Sequence, residues 1–434
     1  MHIRIGLLGY FFSLTIVVLP SCKTTDRQGS SANKGSIDLK GPAERRQFIQ
    51  TAQIWSRSDV ATEAQDLSTP VPRCNDFVPD DIVSCKFTPP KRDGGGAGWT
   101  PKFKCVDASG RSLKVKYGRT NAEVYHEPFT ARLLQALGYY ADCDYPVKKV
   151  ICDDCPADPF AYGNDYRKSQ ENPAEAMARR EFDAAMIEVG FSETDAVADL
   201  DGKVVEGWGF DEVLTTEFSS DNREQMLARE GLTLLMAVLQ HVDNRRSNQR
   251  LHCGLKAKTL AECPEDQRFM LVSDLGATLG AFKLPKALQD GGVDVPPSLS
   301  YFFWDHAPIW KNWAGPERSD CTVQVIAFDT IEPATLKTLK VSEPGRKFVA
   351  DLLAKLSDRQ LEQLIAYAKL GERETTKPMT DEVWASITKM QPWAAPFKYL
   401  PFTPVNTKPV RSDSWLATLK KKLTKVTSQP CSQG

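Results

Sequence analysis

The order of apolar and polar positions divides the chain into stretches of different period. Ile5 to Leu19 is mostly apolar, with His2 and Arg4 ahead of it and Ser21 and Cys22 behind. From Lys23 to Pro42, Ser, Gly, Lys and Asp prevail without apolar periodicity, which predicts a flexible tether. Ile82 to Phe87 alternates as a half-buried strand does. Lys104 to Tyr117 reads as a hairpin turning at Asp107 to Gly110. Within it Leu113, Val115 and Tyr117 alternate with Lys114 and Lys116, so both lysines project from the face opposite the apolar one. Helical spacing begins at Glu127 and ends at Gly138, with Phe129, Leu133, Leu134 and Leu137 apolar and Pro128 tolerable only near the first turn. Tyr145 to Cys152 again resembles a strand. Residues 156–221 mix polar runs with an expected helix over Ala174 to Phe182, an apolar run from Ala184 to Val189 and a turn at Asp199 to Gly202.

The second half reads differently. Asp221 and Glu224 predict a helix start, and Met226, Leu227, Leu234, Leu235, Val238 and Leu239 carry that helix to its end. Two strand candidates come next, Arg250 to Cys253 and Arg268 to Ser273, joined by a longer loop. The aromatic stretch containing Tyr301, Phe302, Phe303, Trp304, Trp310 and Trp313 suits a core or a packed insert. Pro344 to Leu356 and Ser357 to Leu370 predict two helices, the second opened by a capping box of Ser357 and Gln360. An amphipathic, lysine-rich tail from Ser412 predicts a solvated terminal helix. The expected class is α+β, with a β-rich first part and a mainly helical second.

Composition bounds the function without naming it. A chain of 434 residues, 41% hydrophobic and 26% charged with a formal net charge of -1, is long enough for two lobes and has no basic excess to engage nucleic acid. The first 22 residues read as a secretion signal. Their ending, Leu19, Pro20, Ser21 and Cys22, resembles a bacterial lipobox, which would make Cys22 the lipidated residue and membrane anchor. A plain signal peptide cut nearby and a short anchor helix are the alternatives. The address implied is the bacterial cell envelope, periplasmic or surface-exposed. Ten cysteines remain after Cys22, an even set that predicts structural disulfides in an exported chain. Cys152 and Cys155 have the spacing of a redox motif or half a zinc site, but the chain has no second pair of that spacing. The pairing stays open.

Candidate chemistry concentrates between the apolar helix and the strands after it. His241, Asp243 and Asn248 fit the pattern H-x-D-x-x-x-x-N, in which the aspartate meets an attacking hydroxyl and the asparagine a magnesium ion. Asp274, Leu275 and Gly276 stand where a second, metal-binding aspartate would be placed on the next strand. Upstream, the glycine-rich run Gly94 to Gly98 enters the hairpin, and the backbone of Gly96 and Gly98 could approach phosphate oxygens closely. Lys114 or Lys116 could reach the same nucleotide. Glu127 could hold the lysine from the next helix, with Glu123 the competing choice.

These landmarks, in this order, resemble the atypical kinases of the lipid-kinase-like and HipA-like branch. The segments Gly98 to Phe103 and Lys114 to Gly118 also resemble a family of exported bacterial lipoproteins. The resemblance implies a two-lobe protein-kinase-like fold with Mg²⁺ and ATP in the cleft. The signal peptide would occupy residues 1–22, the tether 23–42, the N-lobe with an inter-lobe insertion 43–215 and the C-lobe with the catalytic loop 216–434. By motif position Asp243 is the base, Arg245 a basic residue near the γ-phosphate, Asn248 and Asp274 the metal ligands, Lys116 the phosphate-contacting lysine and Glu127 its partner. The activity implied is transfer of the γ-phosphate of Mg-ATP to a hydroxyl of a protein, lipid or small molecule. A nucleotide-binding pseudokinase and a structural or adhesive lipoprotein are the alternatives. Leu275 stands where the motif has phenylalanine, and the glycine run departs from G-x-G-x-x-G spacing.

Overall fold

A computed structural model describes residues 42–90, 100–168, 176–189, 207–215, 222–241, 248–255, 257, 259–280, 297–306, 309, 321–324, 338–374 and 410–431. All lie in one unit that begins at Ala32. The chain enters through α1 (Pro42–Thr51) and β1 (Trp55–Val60), then runs through β2 (Ile82–Thr88), β3 (Lys102–Asp107) and β4 (Ser112–Tyr117). After α2 (Glu123–Ala136) come β5 (Leu137–Tyr139), β6 (Cys143–Val147), β7 (Lys149–Cys155), α3 (Pro159–Lys168), β8 (Ala178–Phe182) and β9 (Ala185–Val189). Helices α4 (Phe210–Thr215) and α5 (Arg223–Leu239) precede the hairpin β10 (Gln249–Cys253) and β11 (Arg268–Val272). The remaining elements are α6 (Pro297–His306), β12 (Thr322–Gln324), β13 (Thr338–Lys340), α7 (Glu343–Leu353), α8 (Asp358–Tyr367) and α9 (Ser412–Ser428).

The fold is mixed α+β, built on a seven-stranded sheet of order β6-β9-β4-β3-β2-β7-β8. Its pairings are antiparallel except β2 with β7. Alternation gives the sheet two unlike faces. Val83, Phe87, Phe103, Leu113, Val115 and Ile187 lie in one small apolar core, together with Tyr162 of α3. The hairpin turn is fixed by Asp107, whose carboxylate accepts from the backbone N–H of Ser109 and Arg111, and by Gly110 at φ 84°. On the other face, Lys114 and Lys116 of β4 stand beside Glu188 and Met186 of β9, and Asp144 of β6 lies opposite Glu188. Helix α2 covers that face.

A second, larger core joins α2 to α5, α7, α8 and α9. Helix α5 ends where Gln240 turns left-handed at φ 52° and the N–H of His241 reaches back to the carbonyl of Met236, a helix-stop arrangement. Ser357 and Gln360 form the capping box expected of α8. At β5, Gly138 sits at φ 87° with Ser56 and Trp55 so close that a Cβ would strike them, which is why β1 can pair there. Among the described helices none is long and apolar enough to cross a membrane.

Four local expectations change. Ala178–Phe182 is strand β8 rather than part of a helix: Arg180 and Phe182 share a half-buried face, and the Phe182 ring packs on Phe103 and Tyr117, a period of two. Helix α2 starts at Glu123, so Pro128 falls in its second turn and removes one backbone bond; its neighbours Glu127 and Phe129 are fully buried, and that packing outweighs the loss. Asp221 lies outside the described residues, and Asn222 takes the cap position of α5 without a side-chain bond. Helix α9 is not solvated throughout, since Trp415, Leu419, Leu423 and Val426 bury one face in the large core.

The ten later cysteines pair as Cys74–Cys143, Cys85–Cys105, Cys152–Cys155, Cys253–Cys263 and Cys321–Cys431. Cys152 and Cys155 bond to each other, which leaves neither thiolate to a zinc ion. Five such bonds are the usage of a chain matured in an oxidising compartment. Denatured, unreduced protein should therefore expose no thiol from these ten, and converting Cys85 and Cys105 together to alanine should lower stability by about 2–4 kcal/mol. Thiol titration and urea unfolding of the variant check both; ten reactive thiols would refute the bonding.

Candidate active site

The site grows from one buried cation. Lys116 has no solvent exposure, and its ammonium lies against three carboxylates: Glu127, Glu123 at 2.8 Å and Asp274 at 3.2 Å. An ammonium taken wholly out of water is tolerated only with such partners. Glu123 and Glu127 are four apart on α2, hence on the same face of its first turns. Both glutamates engage the lysine, so the choice between them does not arise. Lys114 is occupied elsewhere, hydrogen-bonded to Glu188 across the strand pair.

Asp274 reaches this cluster through the turn after β11. It sits in the left-handed region at φ 51°, a conformation aspartate adopts more readily than most residues. Gly276 passes so close to Glu123 that any Cβ would be driven into that side chain, which explains a glycine there. The turn is tied to α2 in two places. His126 Nδ1 donates to the carbonyl of Thr278 at 2.8 Å, and the hydroxyls of Thr130 and Thr278 meet at 2.9 Å while Thr278 also donates to the carbonyl of Leu275. The N–H of Leu279 then bonds the carbonyl of Leu239 at the end of α5. One helix thus carries both the glutamates and the fasteners of the aspartate turn.

The charges are strongly coupled. Burial alone would drive the Lys116 ammonium down, but Glu123, Glu127 and Asp274 outweigh it and raise its pKa well above the usual lysine range. Burial would likewise raise Asp274, yet Lys116, Lys114 and Lys102 hold it below the ordinary carboxylate range. Glu127 goes the other way. Burial, with Glu188 and Asp274 beside it, pushes it up to about 8 despite Lys116. Asp144 rises well above its usual value through burial and then Glu127 and Glu188, and burial lifts Asp142 to about 6. Burial keeps His126 neutral, in keeping with a proton on Nδ1.

Of the residues expected at the site, Lys116, Glu127 and Asp274 come together, and Lys114 lies two residues away on the same face of β4 with its own partner. Asn248 is half-buried and leads into β10, whose first residue, Gln249, pairs with Val272 of β11; Asn248 and Asp274 therefore flank the same end of the hairpin. Gly96, Gly98, Asp243, Arg245 and Cys22 lie outside the described residues. Sequence reasoning passes over Glu188 and Asp144. Each is a lone acid inside an otherwise apolar strand, and the alternation that selects the lysines would put both on the lysine face.

No family model matches the chain, and no curated protein matches it. Among solved structures it is similar to the crystal structure of a Helicobacter pylori proinflammatory kinase, CtkA, over 79% of this chain and 99% of that one, with 11% identity and a TM-score of 0.33. A likeness of that degree carries no weight for the site.

Lys116→Met should leave three carboxylates unopposed in the interior, a loss on the order of 3–5 kcal/mol. Its pH dependence has a definite sign. Carboxyls raised in the folded state, Glu127 to about 8 and Asp142 to about 6, contribute stability that is present at low pH and lost as pH rises through those values. Removing Lys116 should deepen that loss, so the deficit in urea unfolding should be larger at about pH 8 than at about pH 5. A deficit that does not change with pH would mean that Lys116 does not govern the cluster.

Proposed function

We propose that this protein is a kinase-like phosphotransferase that uses Mg²⁺ and ATP to phosphorylate a hydroxyl acceptor, the sheet with its covering helix and the helical body serving as its two lobes. One observation carries the reading. Lys116 bonds Glu127 and Asp274, partners 11 and 158 positions away in sequence, so a strand lysine, a helix glutamate and a post-hairpin aspartate form one cluster. Phosphoryl transfer calls for such a set, because positioning and charge stabilisation supply most of its catalysis.

The donors fit the cofactors. The Asp274 carboxylate and the Asn248 amide oxygen are the hard oxygen ligands Mg²⁺ takes, and the Asp274 side chain keeps 32% exposure. Bound ATP supplies the transferable phosphoryl group. Lys116 would hold its phosphates, with Glu127 and Glu123 fixing that ammonium's direction. By motif position Asp243 would accept the acceptor's hydroxyl proton, Arg245 would offset charge near the γ-phosphate, and the backbone of Gly96 and Gly98 would face phosphate oxygens. The proposal sets the protein in the bacterial cell envelope, lipid-anchored through Cys22, and the five disulfides support export. Nucleotide binding without transfer is the second reading. In this structure the Lys116 ammonium is buried among three carboxylates, so contact with a phosphate would require it to leave one of them, and a chain that did not make that exchange would bind without transferring.

Isothermal titration with Mg-ATP and a phosphorylation assay separate the readings. Asp274→Ala should weaken Mg-ATP binding at least about tenfold, since the triphosphate and the site's carboxylates repel each other without the metal that Asp274 would hold. Asp243→Ala should bind nearly as wild type and lose about 10²–10⁴-fold in transfer, as expected of a group that acts in the transition state. Binding without any transfer to acceptor, self or water selects the second reading. Absence of metal-dependent nucleotide binding ends both.

A further inference from the structure

Beyond Lys116 the charged face of the sheet continues from β4 through β9 to β6. Glu127, Asp144 and Glu188, from α2, β6 and β9, each present a carboxylate oxygen to the same point, all within 4.8 Å of one another. All three residues are buried: Glu127 at 0% exposure, Asp144 and Glu188 at 4%. Lys114 and Lys116 pair with Glu188 and Glu127. Asp144 receives nothing comparable. Neither of its carboxylate oxygens has a hydrogen-bond partner among the described residues, and neither does Oε1 of Glu127.

A buried carboxylate with no partner is costly, and native interiors seldom contain one. The two lysines cannot balance this neighbourhood, since Glu123 and Asp274 also draw on Lys116. Protons would neutralise the three carboxylates singly, whereas one cation at the point they share would satisfy all three at once. Their spacing suits one ion: oxygen ligands at about 2.3–2.6 Å from Ca²⁺ stand no more than about 5 Å apart. The donors are carboxylates from three separate elements, with no sulfur or imidazole, which selects a hard divalent cation over zinc or copper.

We propose that Glu127, Asp144 and Glu188 form a second cation site, distinct from the one at Asp274, that takes a hard divalent ion such as Ca²⁺ or Mn²⁺ in the absence of nucleotide. The ion would bind α2 to β6 and β9. Because Glu127 also faces Lys116, filling the site would fix the direction of that lysine from behind. Its existence does not depend on the phosphotransferase reading.

The test uses the full chain, without nucleotide, titrated with Mn²⁺ alone while free Mn²⁺ is followed by electron paramagnetic resonance and unfolding by calorimetry. Wild type should bind one Mn²⁺ that Ca²⁺ displaces, and its melting temperature should rise with either ion. Asp274→Asn should keep that binding. Asp144→Asn, which preserves shape, and Glu188→Gln should each weaken it at least tenfold. The proposal is overturned if wild type binds no Mn²⁺ under these conditions, if Asp274→Asn abolishes the binding, or if either Asp144→Asn or Glu188→Gln retains it. Should Asp144→Asn fail to fold, Glu188→Gln and the wild-type melting shift decide the matter. Loss of nucleotide binding would touch none of these readouts, so failure of this site and failure of the functional reading are distinguishable.

Discussion

The burial of one ammonium group constrains much of this structure. Lys116 leaves water completely, and a bare lysine in that position would surrender its charge or unfold the sheet around it. Holding it requires acids from elements far apart in sequence, each arriving at a fixed place. Glu123 and Glu127 arrive because α2 begins four residues before Glu127. Asp274 arrives because the backbone turns left-handed after β11, and Gly276 leaves room for Glu123. The alternation of β4 supplies the remaining condition, putting Leu113 and Val115 into an apolar core while turning the lysines to the other side.

That constraint assigns different roles to the two sheet faces. One face is an ordinary apolar core, backed by disulfides among Cys74, Cys85, Cys105, Cys143, Cys152 and Cys155. The other is a polar layer that is stable only when covered. Helix α2 covers it and is itself packed into the large core with α5 and α8. The hydrogen bonds from His126 and Thr130 to Thr278 tie that helix to the aspartate turn, so a shift of α2 would move both glutamates and the turn's fasteners together. A coupling of this kind is a property of the packing, whatever reaction the site performs.

Much of this is legible in the residues because it depends on short-range period. The β3–β4 hairpin, its turn at Asp107, the hairpin of β10 and β11 and the capping box at Ser357 come from alternation and turn or cap chemistry. Strand β8 escapes such a reading because a five-residue edge strand rich in arginine and glutamate carries little apolar signal. The burial of α9 escapes it because lysines dominate the composition there while Trp415, Leu419 and Val426 mark the packed face. At the site, Lys116, Glu127 and Asp274 can be named from motif order, but Asp144 and Glu188 cannot. Their importance comes from β6 and β9 being neighbours in the sheet with β4 next, an order no local pattern reveals.

The energetics of the polar layer bear on what sort of protein this is. Replacing a buried ion network with well-packed apolar residues is often neutral or stabilising, so such a network is poor evidence of selection for stability alone. Here five acids, Glu123, Glu127, Asp144, Glu188 and Asp274, share a buried region with Lys114 and Lys116. Leucine and valine could fill such a space, as they do on the opposite face of the same sheet. These acids outnumber Lys114 and Lys116, and Lys102 acts only on Asp274 and Glu123, so protons or cations from outside the chain would redress the balance deeper in the layer. Protons alone would neutralise the acids and leave a lysine with weakened partners, whereas cations would keep the acids ionised and the lysine directed. The second arrangement would keep the whole layer charged, so that cations which satisfied its acids would also join α2 to the strands it covers.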